Sequence, residues 1–250
     1  MSFQKNMKNI SNKKILIDNK LTAIEGDWQF NSDVSKVFDK HVRKSIPFYD
    51  EIQKNVSRLS EWFIKDGSIY YDIGCSTGQT IFNIFQRHKK KKIKIFGLDL
   101  QSKMLQLAKK RNKSSKIKFL KKDLSKKINL KKNDFTTCLF TMCFLKKRNR
   151  EEMIKNIYRS LNSQGAFILV EKINSNNILG QSIFTEIYYD FKIENRLSHS
   201  HIINKAKSLR GVMRPLSEKE NIDVLKKVGF KKIEVFFKWF NFSGIIAIKD

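Results

Sequence analysis

A chain of 250 residues, 40% of them hydrophobic and including 20 Phe, can bury a large core, and only 2 Pro and 10 Gly exclude a linker-rich or low-complexity protein. The longest apolar runs, GAFILV and SGIIAI, are too short for a membrane-spanning helix. The formal net charge of +27 admits a nucleic-acid partner, but the lysines are spread along the whole chain with no aromatic-basic recognition motif, so the charge is read first as the Lys-, Asn- and Ile-rich composition of an AT-biased coding sequence.

Residues 1–20 read as a disordered or loosely attached tail, polar and basic, without the apolar core of a signal peptide. Residues 21–250 are expected to form one domain. Val34, Val37, Phe38 and Val42 recur about one turn apart and predict a helix, and a second amphipathic stretch runs from Ile52 to Phe63. After Gly67 strand and helix alternate. SIYYDI reads as a buried strand, QTIFNIFQRH as a helix, IKIFGLDL as a second strand, and SKMLQLAKKRN as an amphipathic helix capped by Ser102. KIKFL and DFTTCLFTM follow as strands, REEMIKNIYRSL as a helix and GAFILVEK as a fifth strand. This rhythm implies an α/β fold whose parallel sheet is covered by helices on both faces. Residues 175–215 interrupt it with QSIFTEIYYDFKI and SHSHIINKAKSLR, a helical insertion suited to a lid or a subunit contact. A helix capped by Ser217 and stopped at Gly229 leads into KKIEVFFKWF and FSGIIAIK, two strands of an antiparallel hairpin. The whole is a mostly parallel seven-stranded sheet with extra N-terminal helices.

The stretch YYDIGCSTGQT, Tyr70–Thr80, falls at the first strand-to-helix turn. It fails as a dinucleotide fingerprint, because Ser76 and Gln79 stand where second and third glycines belong, and it lacks the Gly-Lys-Ser/Thr ending of a phosphate loop. The spacing that fits is acid-x-Gly-x-small-x-Gly, made by Asp72, Gly74, Ser76 and Gly78. Small residues let the backbone approach an amino-acid-like ligand, whose carboxylate the amides receive and whose ammonium the acid holds. Asp99 ends the second strand, where a carboxylate can accept two ribose hydroxyls, and Asp123 follows the third, where an adenine edge can be read. Each acid alone is an ordinary turn residue; three at successive strand ends beside a glycine loop are a nucleoside site.

These blocks resemble the class I S-adenosylmethionine-dependent methyltransferases, from Trp28 to Lys249, and within them the carboxy-S-adenosylmethionine synthases. The resemblance is carried by DWQFNSDVSKVFDKHVRKSIPFY, YDIGCSTG, FTMCFL, EK after strand five, YDFK, LKKVGF and WFNFSGIIAIK. It implies a Rossmann-like fold that binds S-adenosyl-L-methionine or its carboxylated derivative, with Tyr49, Gly74, Cys75, Ser76, Asp99, Asp123 and Leu124 in the pocket. It also implies that prephenate is the small-molecule substrate, converted to phenylpyruvate and carbon dioxide, which a sulfonium ylide of the cofactor traps. The product would serve a partner enzyme acting on the wobble uridine of transfer RNA. A homodimer is expected, with an arginine reaching across to the new carboxylate.

The chain departs from this pattern at three positions: Ala206 stands at the expected arginine, Leu139 at an asparagine near strand four, and Leu100 after the ribose acid. Lys205, Lys207 and Arg210 are the candidates to replace the arginine, and Lys172 and Lys192 are further anion contacts to consider. Cys75 is read as a small residue in a tight turn, since no His41, His88, His199 or His201 makes a recognisable partner for a nucleophile. No metal is expected, because His199 and His201 point to different sides of a helix. Glu171 is either a substrate-orienting base or the partner of a loop Arg or Lys. The cluster Phe184, Tyr188, Tyr189 and Phe191 reads as core or dimer contact ahead of a substrate cage. The competing functions are an ordinary methyltransferase of a small-molecule or RNA acceptor, and a non-catalytic cofactor- or RNA-binding protein. Odd cysteines without zinc spacing fit a reducing, cytoplasmic setting.

Overall fold

The computed structural model describes residues 15–18, 21–23, 26 and 32–250. Of the tail expected over residues 1–20, Ile15–Asp18 (β1) fall within that range and pair antiparallel with Leu21–Ala23 (β2); the rest lies outside the described residues, as do residues 27–31. Helix α1 spans Ser32–Ser45 and α2 Tyr49–Leu59. Val42 and Phe38 bear on the interior as the spacing predicts, while the Val34 and Val37 side chains lie outside the described residues.

The α/β part then runs β3 (Ile69–Ile73), α3 (Gln79–Arg87), β4 (Lys94–Asp99), α4 (Ser102–Arg111), β5 (Ile117–Lys121), β6 (Asn133–Leu139), α5 (Lys147–Ser160) and β7 (Leu161–Lys172). Helices α6 (Ile178–Glu194) and α7 (His199–Ser208) form the insertion, followed by α8 (Glu218–Val228), β8 (Lys232–Trp239) and β9 (Phe242–Ile248). Ser102 is the first helical residue of α4 and Gln101 its cap, one position earlier than expected. Ser217 caps α8 with a reciprocal pair to Glu220, and Gly229 ends it at φ +121°.

The seven-stranded sheet has the order β5-β4-β3-β6-β7-β9-β8. β3 pairs parallel with both β4 and β6, β4 with β5, and β6 with β7, whereas β9 runs antiparallel to β7 and to β8. The central strands β3, β6 and β7 are buried on both faces, whereas the edge strands β5 and β8 are largely exposed. Tyr71, Ile73, Phe167 and Leu169 pack under Met153, Ile154, Ile157 and Leu225 of α5 and α8. Tyr70, Ile95, Phe135 and Ile168 pack under Ile52, Val56, Ile81 and Ile84 of α2 and α3. The chain steps one way from β3 to β4 and β5, then returns to the other side for β6. The carboxyl ends of β3 and β6 therefore flank the point where the order reverses, the crevice in which open α/β sheets take ligands. Among the described residues no helix is long and apolar enough to cross a membrane.

Candidate functional site

Strand β3 delivers the glycine loop to that crevice. The Gly74 and Cys75 amides both donate to the Leu98 carbonyl, at 2.8 and 2.9 Å, which pins the loop against the end of β4. Gly74 and Gly78 both lie at φ +74°. A Cβ at Gly74 would run into the Thr141 side chain, and one at Gly78 would stand 2.6 Å from Asn112 Nδ2, so backbone and space both demand glycine. Ser76 also adopts a left-handed conformation, φ 49°, which turns its amide onto Asp99 Oδ2 at 2.9 Å.

Asp72 is 2% exposed. Thr137 Oγ1 donates to its Oδ1 at 2.7 Å, and since that hydroxyl has one hydrogen, Tyr70 Oη at 2.8 Å is the donor to Thr137. Asp72 Oδ2 is buried without a hydrogen-bond partner, and burial pushes the carboxyl up to about 7. A buried carboxylate oxygen lacking a donor is costly, and a cationic ligand group would satisfy it.

Asp99 accepts the Gln101 amide on Oδ1 at 2.8 Å and the Ser76 amide on Oδ2, and burial raises its pKa. With about four lone-pair sites on a carboxylate, each oxygen keeps room for another donor. Asp123 takes both Ser125 bonds, N–H at 2.9 Å and O–H at 2.7 Å, on Oδ1, and these hold its carboxyl below the usual range. Leu124 and Leu139 are buried and Leu100 is 48% exposed. Tyr49, buried at the start of α2, brings its ring to 6.3 Å from Phe140 at the end of β6. The residues singled out around the cofactor thus lie along the carboxyl edges of β3, β4, β5 and β6, with Tyr49 entering from the N-terminal helices.

Two supports were not foreseen. Asp39 of α1 accepts Thr77 Oγ1 at 2.7 Å and pairs with Arg111 of α4, which also donates to the Thr77 carbonyl at 2.9 Å. An N-terminal helix is thereby locked to the glycine loop; the alternation of strands carries no signal for a pairing this distant in the chain. Glu171 is neither a base open to substrate nor the salt-bridge partner of a loop cation. Its Oε1 accepts the Thr141 and Met142 amides at 3.0 and 2.8 Å, and its Oε2 accepts that of Cys143 at 3.0 Å. The fully buried carboxylate fixes the turn after β6, and Thr141 in that turn is what crosses over Gly74.

Cys75, Cys138 and Cys143 are free and buried, and burial pushes each thiol well above its ordinary value, away from nucleophilic chemistry. Among the described residues no His, Cys, Asp and Glu group could hold a metal ion. On α7, burial and then the nearby Lys192 charge push the Lys205 pKa down, whereas Lys207 is half-buried with its carbonyl receiving the Gly26 amide, and Ala206 is exposed, as is Arg210 just beyond the helix. Phe184 and Phe191 pack edge-on against Phe240 and Trp239, and Tyr188 against Phe242. A cleft of about 540 Å³ opens beside Tyr49, rimmed by Asp50, Glu51, Asp190 and Glu194. It shares only Tyr49 with the strand-end site, and its acidic rim does not suit an anion.

A sheet of this order with a glycine loop and acids at successive strand ends defines an S-adenosylmethionine-dependent transferase of the methyltransferase fold. A methyltransferase-domain family model matches residues 71–165. An O-methyltransferase family protein from Burkholderia thailandensis superposes with a TM-score of 0.64 at 12% identity, covering 88% of this chain and 60% of that one. Human N-acetylserotonin methyltransferase in complex with S-adenosylmethionine gives 0.57 at 12% identity, covering 87% and 55%. At such identities these neighbours establish the fold.

The sequence relatives are narrower. Carboxy-S-adenosyl-L-methionine synthase of Staphylococcus epidermidis is 40% identical over 226 residues, 89% of this chain and 97% of that protein. The enzyme of the same name from Sulfurimonas denitrificans is 37% identical over 229 residues, 91% and 97%. The chain belongs to the carboxy-S-adenosyl-L-methionine synthase family.

Proposed function

We propose that this protein joins the carboxyl group of prephenate to the methyl carbon of S-adenosylmethionine, releasing phenylpyruvate. The observation that carries the cofactor half is the unpartnered Oδ2 of buried Asp72 beside the loop 74–78. A ligand bearing an ammonium next to a carboxylate fits there, the cation towards Asp72 and the anion towards the loop amides. Asp99 accepts the ribose hydroxyls with its remaining lone pairs. Asp123 and the Leu124 amide read the adenine edge, and Leu100, Leu139 and Tyr49 supply walls. Cys75 contributes small size and backbone contact.

When bound, S-adenosylmethionine supplies the sulfonium-activated methyl carbon, whose lost proton and the hydroxide expelled from prephenate leave together as water. The chain holds the two reactants side by side and excludes water from the crevice. Family membership supports the carboxylation half. The exposed position of Ala206 on α7 and the exposed Ile178 and Leu179 of α6 support a homodimer, with those faces turned towards the second copy. A cytoplasmic location and delivery of the product to an enzyme of transfer-RNA wobble modification complete the reading. Direct transfer-RNA binding by the basic surface is the lesser possibility.

Ala206 favours a second reading, an ordinary methyltransferase whose pocket aligns a nucleophile with the methyl group. The mass of the nucleoside that co-purifies with the protein separates them. A cofactor heavier by one carboxyl group supports the synthase, whereas unmodified S-adenosylmethionine together with methyl transfer to an added acceptor supports the alternative.

A further inference from the structure

Two lysines from different elements meet on one aromatic ring. Lys172 is the last residue of β7 and Lys192 lies in the last turn of α6, and their Nζ atoms stand 4.6 and 3.8 Å from the centroid of Tyr188. Lys192 is only 8% exposed. Neither ammonium has a carboxylate partner among the described residues; each has the π face of Tyr188. Tyr188 is itself anchored, donating through Oη to the Ser45 carbonyl at 2.7 Å. Lys205 of α7 brings a third positive charge near Lys192.

The Lys172 and Lys192 charges, held together on one ring with no acid between them, oppose folding, and a methionine would fill either place with less cost. Burial, with the Lys172 charge beside it, pushes Lys192 down to about 7. Such an arrangement gains its partner only when an anion arrives.

The place is next to the cofactor crevice. Glu171, immediately before Lys172, holds the amides of Thr141–Cys143, and Thr141 lies over Gly74. A train of rings, Tyr188–Phe242 at 5.3 Å, Phe242–Phe140 at 6.2 Å and Phe140–Tyr49 at 6.3 Å, connects the lysines to the same edge.

We propose that Lys172 and Lys192, held on Tyr188, bind a carboxylate of the substrate from within one chain and supply the charge that Ala206 cannot. The choice of a dicarboxylic acid as substrate rests on the function proposed above; the anion site rests on the lysines. Two separate ammoniums, each with three rotatable donors, make a looser clamp than a guanidinium fork and can serve both ends of a dicarboxylate.

The test uses the full-length chain saturated with S-adenosylhomocysteine, titrated calorimetrically with prephenate and, as an unreactive probe, with malonate. Lys172→Met and Lys192→Met keep side-chain length without charge. Each variant is expected to lose about tenfold or more in affinity for both acids, as loss of a charged hydrogen bond implies. S-adenosylhomocysteine affinity should stay within about twofold and the melting temperature should not fall, since a charge opposed to folding has been removed. Near pH 8 the wild type should take up protons as the acid binds. The carboxylate then raises the pKa of Lys192, which faces Lys172, Lys205, Tyr188 and Tyr189. Variants that bind the acids as well as wild type, or melt lower and lose S-adenosylhomocysteine as well, overturn the proposal, as does a wild type that binds neither acid. Lysine-dependent malonate binding without carboxylated cofactor from prephenate keeps the anion site and removes the prephenate reaction.

Discussion

The Ser76 amide donates to Asp99 Oδ2 at 2.9 Å, so the glycine loop of β3 is tied to the acid that ends β4. One carboxylate therefore shapes the loop and offers its remaining lone pairs to a ligand. Asp99→Ala is expected to weaken S-adenosylmethionine binding at least about tenfold, through loss of a charge-assisted ribose contact. Asp99→Asn retains one acceptor oxygen and should fall between the two. Calorimetric titration of the three proteins checks the order, and an unchanged affinity in Asp99→Ala refutes the role.

Asp72 makes stability depend on pH. Its carboxyl titrates near 3.8 when unfolded and is pushed up to about 7 when folded, so between those values the folded state binds the extra proton. Stability contributed at this position therefore falls as pH rises through that window, with a slope of up to about 1.4 kcal/mol per pH unit, and levels off above it. Asp72→Asn removes the fall. The free energy of unfolding of wild type minus that of the variant, measured by urea titration from pH 4 to 8, should decrease with pH. A flat difference contradicts the burial argument. A cationic ligand group favours the ionised acid, so cofactor affinity should rise through about pH 7 in wild type more steeply than in Asp72→Asn.

Glu171→Ala leaves the amides of Thr141, Met142 and Cys143 without their acceptors in a buried turn. At about 1 kcal/mol or more per unsatisfied group, the loss of stability should reach about 3 kcal/mol, or about 6–12 °C in melting temperature. Glu171→Gln keeps an acceptor oxygen and should lose less. Thermal unfolding of both checks this, and a variant as stable as wild type would show that the amides find other partners.

Cys75→Ala preserves the size class of the turn and removes the thiol. Turnover should stay within about threefold of wild type, because a buried thiol with a raised pKa is not a nucleophile. Native protein should also resist alkylation by iodoacetamide until it is unfolded. Loss of turnover by a hundredfold or more, with cofactor binding intact, would restore Cys75 as a reacting group.

Features written in short stretches of sequence were legible. The spacing of YYDIGCSTGQT and the acids Asp99 and Asp123 predicts a glycine loop and two acids at successive strand ends, where the structure has them, and the final hairpin and the capped helix α8 follow from local pattern. What escaped depends on segments that meet only after folding. Asp39, Thr77 and Arg111 come from α1, the loop and α4, and none is distinctive in its own stretch. Glu171 reads as a candidate base because a strand-end acid is accessible by default, and only the turn wrapped around it shows three amides occupying both oxygens. Lys172 and Lys192 are visible as cations, but their convergence on Tyr188 requires α6 to lie against the end of β7.

The most direct measurement is a single-turnover incubation of the purified protein with S-adenosylmethionine and prephenate, analysed by mass spectrometry. The synthase reading predicts a cofactor heavier by one carboxyl group, appearing in step with phenylpyruvate and abolished without prephenate. Bound but unmodified S-adenosylmethionine, with prephenate unconsumed, would contradict it.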